Sequence, residues 1–439
     1  MTRISAPIES ATAAFQPPAV TRLEDTGLSA LWLEDLILKV LYFRGYVSGF
    51  KIAEEIALPF TGVTDQLLTM MKQEKLIEVK ASTGGLGEGG YTYGITGAGI
   101  QRAREALDRS QYAGPAPVPF DVYNDSIGRQ KSTRLSVTTR AMRQVLSDLV
   151  ISEATYQRLG PALNSGTSIF MYGPPGNGKT TIARAFGDLL FNQTMYIPYA
   201  LYLDGQVVKL YDAVSHQRPR DGEAGDGAGS KNAARRDLRW VRIRRPFIVT
   251  GGELTLEGLD LIFDETHRYY EAPFQVKANG GILLIDDFGR QLVRPRDLLN
   301  RWIVPLENRV DYLQLHTGRK VEVPFDVLVV FSTNLPPKDL VDEAFLRRLR
   351  HKVEIKDPTF EEYREIFKRV TADRRIEYNE QSLAYLLQEW YIKRNRKMRA
   401  SHPRDLCDQI LDISAYLAVP PEMSREMLDR AALAYFVDL

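Results

Sequence analysis

Gly173-Pro174-Pro175-Gly176-Asn177-Gly178-Lys179-Thr180 decides how this chain is read. The octapeptide fits the pattern G-x-x-x-x-G-K-[ST]. It follows the apolar run 168–172 and precedes a helix-like stretch that begins at Thr181, the strand–loop–helix context that a phosphate-cradling loop requires. Glycines let backbone N–H groups turn inward on phosphates, and the positive end of the following helix adds to the attraction for negative charge. Lys179 is expected to reach the outer phosphates and Thr180 to ligate Mg²⁺, with the whole run from Gly173 to Thr181 in contact with the ligand.

Length and composition agree with this reading. The 439 residues suit two or three domains, and 44% hydrophobic side chains are enough to give each a core. With 57 basic against 56 acidic side chains there is no global field to draw in nucleic acid. The one cysteine, Cys407, excludes an internal disulfide framework. The first fifteen residues hold no apolar signal region, and no stretch approaches 18 apolar residues, so a cytoplasmic protein with no membrane span is expected.

Residues 1–26 mix Pro, Ala, Thr and Ser without periodicity and read as a flexible arm. Residues 27–112 read as the first domain. Trp32, Leu33, Leu36, Ile37, Val40 and Leu41 recur at helical spacing, and 51–56 and 61–75 offer two more helices. Two alternating segments, 77–80 and 91–95, are joined by glycine-rich 83–90, and a fourth helix runs over 97–109. That order resembles a winged helix-turn-helix. Residues 113–119, Ala-Gly-Pro-Ala-Pro-Val-Pro, favour extended conformations and read as a semi-rigid linker. Residues 215–232 are rich in Gly, Asp and Arg and read as a mobile excursion. Beyond Asp357 the chain turns helical: Thr359 with Glu362 makes a capping-box pattern, and Pro403 suits a first helical turn.

Four further elements follow the phosphate loop in order. Residues 281–287, Gly-Ile-Leu-Leu-Ile-Asp-Asp, are an apolar strand ending in two acids. Asp286 is expected to hold the Mg²⁺ shell and Asp287 to orient or deprotonate the attacking water. Asp287 stands where glutamate is more usual. A second buried strand, 327–333, ends at Asn334, whose amide suits the water or the γ-phosphate. A basic cluster with Arg347 and Arg348 leads into a short strand, and Arg404 lies in the first turn of a late helix, where its charge opposes the helix dipole. The aromatic group His267, Tyr269 and Tyr270 reads as core rather than as a gripping loop.

From about residue 120 to the end, these elements resemble the AAA+ ATPases. The residues around Lys179, Asp286 with Asp287, Asn334, Arg347 with Arg348, and Arg404 are similar to that family's Walker A, Walker B, sensor 1, arginine-finger and sensor 2 elements, in that order. The sequence leaves open which of Arg347 and Arg348 is the finger. The resemblance implies an α/β fold: a P-loop NTPase αβα sandwich over 120–356 with a C-terminal helical lid over 357–439, beside the N-terminal winged helix-turn-helix. It also implies ATP and Mg²⁺ as cofactors and a ring oligomer, commonly a hexamer. Residues 313–323 look like a hairpin before the sensor 1 strand, and Ala278-Asn-Gly-Gly-Ile resembles the AAA+ branch that carries one. Residues 239–350 look similar to bacterial ATPases described as having predicted chaperone activity and linked to Flp-type pilus assembly.

Three functions compete: an ATP-driven protein remodeller with an unknown protein client, a DNA-acting AAA+ protein of initiator or helicase-loader style, and a nucleotide-dependent switch with little turnover. Residues 1–112 carry 11 Lys plus Arg against 13 Asp plus Glu, a net of −2. DNA binding relies on phosphate neutralisation, so nucleic acid is the less favoured partner.

Overall fold

Helical spacing and polar caps produce the first unit. The computed structural model describes residues 15–82, 87–131, 137–190, 193–220, 236–340 and 346–436. Helix α1 (Ala30–Arg44) starts where the Ser29 side chain accepts the Trp32 N–H, and it buries Leu33, Leu36, Ile37, Val40 and Leu41. Strand β1 (Val47–Ser48), α2 (Gly49–Glu55), α3 (Asp65–Gln73), β2 (Ile77–Ser82), β3 (Tyr91–Ile95) and α4 (Gly97–Arg109) follow. Strand β3 pairs antiparallel with both β1 and β2. Arg102 of α4 binds Glu34, Asp35 and Glu74 at 2.7, 2.9 and 3.1 Å, fixing α4 across α1 and α3. Residues 83–86 of the expected wing lie outside the described residues.

Both flanks of this unit are packed against the rest of the chain. Of the supposed flexible arm, 1–14 lie outside the described residues, but 15–26 are packed: Phe15 meets Trp240 edge-on at 5.8 Å, Pro18 bridges to Arg236, and Val20 is buried. Residues 113–119, expected as a semi-rigid extended linker, are packed as well. Their prolines keep them extended, and that extension lets β4 (Val118–Pro119) join a sheet, with Ala116 and Val118 fully buried and Ala116 N–H donating to Ile56 O.

The chain continues through α5 (Phe120–Arg129), α6 (Thr139–Val145), α7 (Glu153–Ser165), β5 (Ser168–Tyr172) and α8 (Lys179–Leu190). A β-rich stretch follows that periodicity alone did not separate: β6 (Thr194–Pro198), β7 (Ala200–Leu203), β8 (Gln206–Lys209) and β9 (Trp240–Arg244). Beyond β10 (Phe247–Thr250) come β11 (Ile262–Asp264), β12 (Tyr269–Glu271), α9 (Phe274–Lys277), β13 (Ile282–Ile285), α10 (Pro295–Asn308), β14 (Val310–Gln314), β15 (Lys320–Pro324), β16 (Leu328–Thr333), α11 (Pro337–Leu340) and β17 (His351–Glu354).

One sheet is parallel throughout, in the order β10-β13-β16-β5-β17. Its strands are apolar on both faces, and period-2 alternation sends them to two cores. Ile169, Met171, Ile282, Leu284, Leu328 and Val330 pack under α6, α7 and α8. Phe170, Leu283, Ile285, Val329 and Phe331 pack on the opposite face against Leu298, Leu299 and Trp302 of α10. The result is a three-layer α/β arrangement. A second sheet, β11-β12-β8-β7-β4, is mixed, and β6 pairs with β9. Tyr270, in β12 of this second sheet, is fully buried, Tyr269 meets Tyr112 edge-on, and His267 is held by Asp264. The hairpin β14–β15 buries Leu313, Leu315, Val321 and Val323 in the same core, and Arg319 near its tip pairs with Asp204 at 2.5 Å. Of the expected excursion, 215–220 are described, and His216 is buried, held between the Asp212 N–H and Lys277 O.

The C-terminal unit is helical: α12 (Phe360–Asp373), α13 (Glu380–Leu386), α14 (His402–Leu417) and α15 (Arg425–Tyr435). Thr359 and Glu362 form a capping box at its start, and Tyr363, Phe367, Trp390, Leu406 and Leu428 make its core. Among the described residues, no helix is long and apolar enough to cross a membrane.

The first unit and the second sheet share one hydrophobic core, in which Ala200, Val207 and Tyr202 pack with α1 residues. At this seam Arg239 and Asp237, 3% and 4% exposed, form an ion pair, and the Arg239 guanidinium also donates to Thr26 O at 2.7 Å and Pro117 O at 3.1 Å. Removing one partner of such a pair costs about 3–5 kcal/mol. Arg239→Ala is therefore expected to lower unfolding stability by about that amount in urea titrations and to speed proteolysis within 113–119. A change of less than about 0.5 kcal/mol would mean the pair does not hold the seam.

Candidate functional site

In a parallel sheet all strand ends of one kind share an edge, and ligand crevices form outside the carboxyl ends where strand order reverses. Here β5, β13 and β16 deliver Gly173, Asp286 and Asn334 to that edge. Gly173 has φ +143°, and a Cβ there would stand 2.1 Å from Ile355 O, so only glycine lets the loop leave the sheet beneath the exit of β17. Gly178, at φ +81°, has open space where a side chain would project. Helix α8 starts at Lys179 and points its N-terminus into the loop. The Lys179 ammonium donates to Gly173 O at 2.9 Å and Pro174 O at 2.8 Å. Burial pushes its pKa down to about 8; Asp287 and Asp286 oppose that shift and Arg399 adds to it.

The Thr180 hydroxyl meets both carboxylate oxygens of Asp286, at 3.0 and 2.9 Å. These groups arrive from a helix and a strand 106 residues apart in sequence. No cluster of three or more His, Cys, Asp or Glu side chains suited to a metal occurs among the described residues. One carboxylate and one hydroxyl fit Mg²⁺, which keeps several waters and is completed by substrate phosphates rather than by an all-protein cage.

Asp287 is exposed and has φ +48°, a left-handed conformation that costs an ordinary side chain about 1–2 kcal/mol. Four contacts hold it there, one of them the Arg290 N–H, which donates to Asp287 O at 3.0 Å. Its N–H donates to Asp286 Oδ1 at 3.1 Å, its Oδ1 accepts from Asn334 Nδ2 at 3.1 Å, and its carbonyl accepts from Gln291 Nε2 at 3.2 Å. The turn is also stitched to β16: Phe288 N–H donates to Ser332 O, and the Thr333 hydroxyl donates to Phe288 O at 2.6 Å.

The C-terminal unit touches the loop directly. Ser401 N–H donates to Gly176 O at 2.8 Å, and Ala400 N–H donates to Asn177 Oδ1 at 3.1 Å. Asn177 Nδ2 donates to Asp357 Oδ1 at 2.8 Å, and Arg399 binds the same oxygen. A cavity of about 190 Å³ opens beside Asn177, walled by Ile151, Thr155, Ile182, Ile355 and Ile366.

The structure thus gathers Gly173, Pro174, Gly176, Asn177, Lys179, Thr180, Asp286, Asp287 and Asn334. Pro175 and Thr181 are exposed on the loop and the first turn of α8. Arg404 is turned instead onto Asp405 at 3.0 Å and is 60% exposed; the arginine brought to the loop from this segment is Arg399. Arg404 lies in the first turn of α14, whereas Arg399 precedes that helix, where no periodic pattern marks it. Arg347 is exposed, Arg348 pairs with Glu307 at 2.6 Å, and buried Leu349 anchors both, while residues 341–345 before them lie outside the described residues. Gln291 carried no sequence signal.

A family profile described as a domain of unknown function (DUF8689) matches residues 359–433, which coincide with the C-terminal helical unit. No curated protein sequence matches the chain. Among solved structures, a mutant of Thermotoga maritima RuvB is 14% identical, covering 67% of this chain and 72% of its own, with a TM-score of 0.39. The T. maritima RuvB Holliday junction branch migration motor is 15% identical over 66% of this chain and 70% of its own, with a TM-score of 0.36. NtrX from Brucella abortus is 14% identical over 75% and 59%, with a TM-score of 0.36. Likeness at this level carries no argument about activity.

The depressed Lys179 pKa has a measurable consequence. A triphosphate on the loop would favour the ammonium, so at pH about 8 binding should take up protons, and affinity should fall as pH rises through that value. Titration calorimetry in two buffers of different ionisation enthalpy checks this. A buffer-independent heat would show that Lys179 is already fully protonated in the free protein.

Proposed function

We propose that this chain is a Mg²⁺-dependent ATPase of the AAA+ type that works on protein. The observation that carries the reading is the Thr180–Asp286 contact, with Asp287 and Asn334 beside it at the mouth of the phosphate loop. The loop N–H groups and the α8 N-terminus bind phosphate oxygens, and Lys179 exchanges its loop carbonyls for the outer phosphates. Thr180 and Asp286 would hold the metal, which when bound would supply positive charge against that of the phosphates. Asp287 orients a water and takes its proton, and Asn334 keeps the Asp287 carboxylate in place. The Ile-walled cavity beside Asn177 suits the base of the same nucleotide, and the C-terminal unit acts as a lid that reads the loop through Arg399, Ala400 and Ser401.

Arg347 and Arg348 are assigned to the neighbouring subunit's nucleotide in a ring, an assignment that fits their exposure at the surface. Lys179→Ala should abolish ATP binding, and Asp287→Asn should bind without turnover, by titration calorimetry and phosphate release. Arginine fingers contribute on the order of 10³-fold or more to rate. Mixing Arg347→Ala/Arg348→Ala subunits with Asp287→Asn subunits should therefore restore some hydrolysis. Full turnover by Asp287→Asn would remove its assignment, and co-assembled mixtures without recovery would place the arginines in a structural role.

The first unit, read as a winged helix, supports a protein partner. Along α3, the segment that would enter a DNA groove, Lys72 is paired with Glu88 at 3.0 Å, and Asp65 and Glu74 stand beside Lys72 and Lys75, so no basic stripe forms. Tyr42, Phe43, Tyr46 and Phe50 are 38–68% exposed around the end of α1 and the start of α2, a composition typical of protein contacts. The chaperone-like and pilus-linked resemblance fits this reading. The alternative is action on DNA, the activity named for RuvB. A labelled duplex should not bind the full chain more tightly than about 1 μM at physiological salt; tighter, salt-sensitive binding would favour the alternative.

A further inference from the structure

The segment after the paired acids, Phe288-Gly-Arg-Gln-Leu-Val-Arg-Pro-Arg-Asp297, is not used by the reading above. Arg290, Arg294 and Arg296 are exposed, and their side chains form no ion pair among the described residues. Arg294 stands at the N-cap of α10 and Arg296 in its first turn. A helix N-terminus is the positive end of the dipole, so cations there cost about 0.3–1 kcal/mol each instead of contributing. The rest of this helix behaves differently: Arg301 is bound to Asp311 at 2.6 Å, and Arg309, at its C-cap, lies 3.6 Å from Asp326. Between the unpaired arginines Leu292 is 83% exposed, although Phe288 is buried and Val293 packs into the core on either side of it. The segment is thus anchored at both ends and presents three cations around one aliphatic side chain, with exposed Asp297 at its end as its one anion, a net charge of +2.

The same segment is bonded to the catalytic turn. Gln291 Nε2 donates to Asp286 O at 2.9 Å and Asp287 O at 3.2 Å, and Gln291 Oε1 accepts from Gly289 N–H at 2.8 Å. The Arg290 N–H donates to the same Asp287 carbonyl at 3.0 Å, so a load on the segment reaches that carbonyl through the backbone of Arg290 and through the Gln291 side chain, and through Gln291 alone it also reaches Asp286 O.

We propose that residues 288–297 form a docking surface for an acidic polypeptide segment carrying aliphatic side chains, and that Gln291 is the positioning residue through which docking alters the hold on Asp287. Carboxylates satisfy the three arginines, and an aliphatic side chain covers Leu292. A nucleic-acid backbone offers the charge without a partner for the leucine, which is why a polypeptide is favoured. The coupling half rests on the reading of Asp287 as the residue that orients water; the docking half does not.

The test uses the full chain and three labelled probes: a peptide of alternating Glu and Leu, an all-Glu peptide of equal length, and a single-stranded oligothymidylate of similar charge. Fluorescence anisotropy should show the Glu-Leu peptide binding most tightly, with salt weakening it. Arg290→Glu/Arg294→Glu/Arg296→Glu should weaken it by about tenfold or more, a change of about 1.4 kcal/mol. Leu292→Ser should bring the two peptides level. No peptide binding, unchanged binding by the triple variant, or tighter binding of the oligonucleotide would overturn the docking surface. For coupling, the Glu-Leu peptide should change phosphate release by the wild-type chain but not by Gln291→Ala or Gln291→Glu, both of which should still bind it. A peptide response retained in both variants would overturn the role of Gln291 and leave the docking surface standing. If the wild-type chain does not hydrolyse ATP, the coupling half falls with the proposed function, and the anisotropy result is unaffected.

Discussion

The parallel pairing of β5 between β16 and β17 sets the position of every candidate group. Because β5 is flanked on both sides, its exit is confined, and Gly173 must turn beneath Ile355 O with no room for a Cβ. That turn sends the next residues over the sheet edge and starts α8 with its N-terminus facing back. The neighbouring strand β16 ends at Thr333, which stitches the turn after β13, so the two acids and Asn334 come to the loop by the same register. A slip of one residue in β16 would exchange the faces of Val330 and Phe331 and separate these groups.

The second dependence is the seam between the first unit and the mixed sheet. Arg239 donates to carbonyls on both sides of it, β4 adds the former linker to the sheet, and one hydrophobic core runs through. The hairpin β14–β15 packs on the other side of that sheet, and buried Asp311, held by Arg301 and Gln275, ties it to α10 and α9. Force applied to the first unit therefore passes through packed side chains to the hairpin and to the helix that follows the turn after β13. A flexible linker would have broken that path.

Most of the parallel sheet was legible because its strands are apolar runs ended by chemistry-bearing residues, and the glycine pattern at 173–178 demands one backbone. Helices with polar caps, such as α4 after Thr96 and α12 after Thr359, were legible for the same local reason. What escaped depends on tertiary contact. The mixed sheet is made of strands of three or four residues and the two-residue β4, too short to show a period. Pro-rich 113–119 carries the composition of a spacer, and only the facing Leu201 and Tyr202 make it a strand. Arg399 and Gln291 are ordinary polar residues in irregular segments, and their importance appears only in what they touch. The phrase Ala278-Asn-Gly-Gly281 has a packing reason: a Cβ on Gly281 would meet Pro246 O at 2.0 Å, and Asn279 braces Tyr123, Pro324 and Asp326.

On the proposed function, the loop 173–180, the turn after β13 and the start of α14 form a single nucleotide site. Hydrogen–deuterium exchange of the full chain with and without ATP and Mg²⁺ tests it most directly. Slower amide exchange in 173–181, 286–291 and 399–402 together is the predicted result, since one ligand would order all three. Exchange that stays unchanged in all three segments at saturating ATP, or slows only elsewhere in the chain, would contradict it.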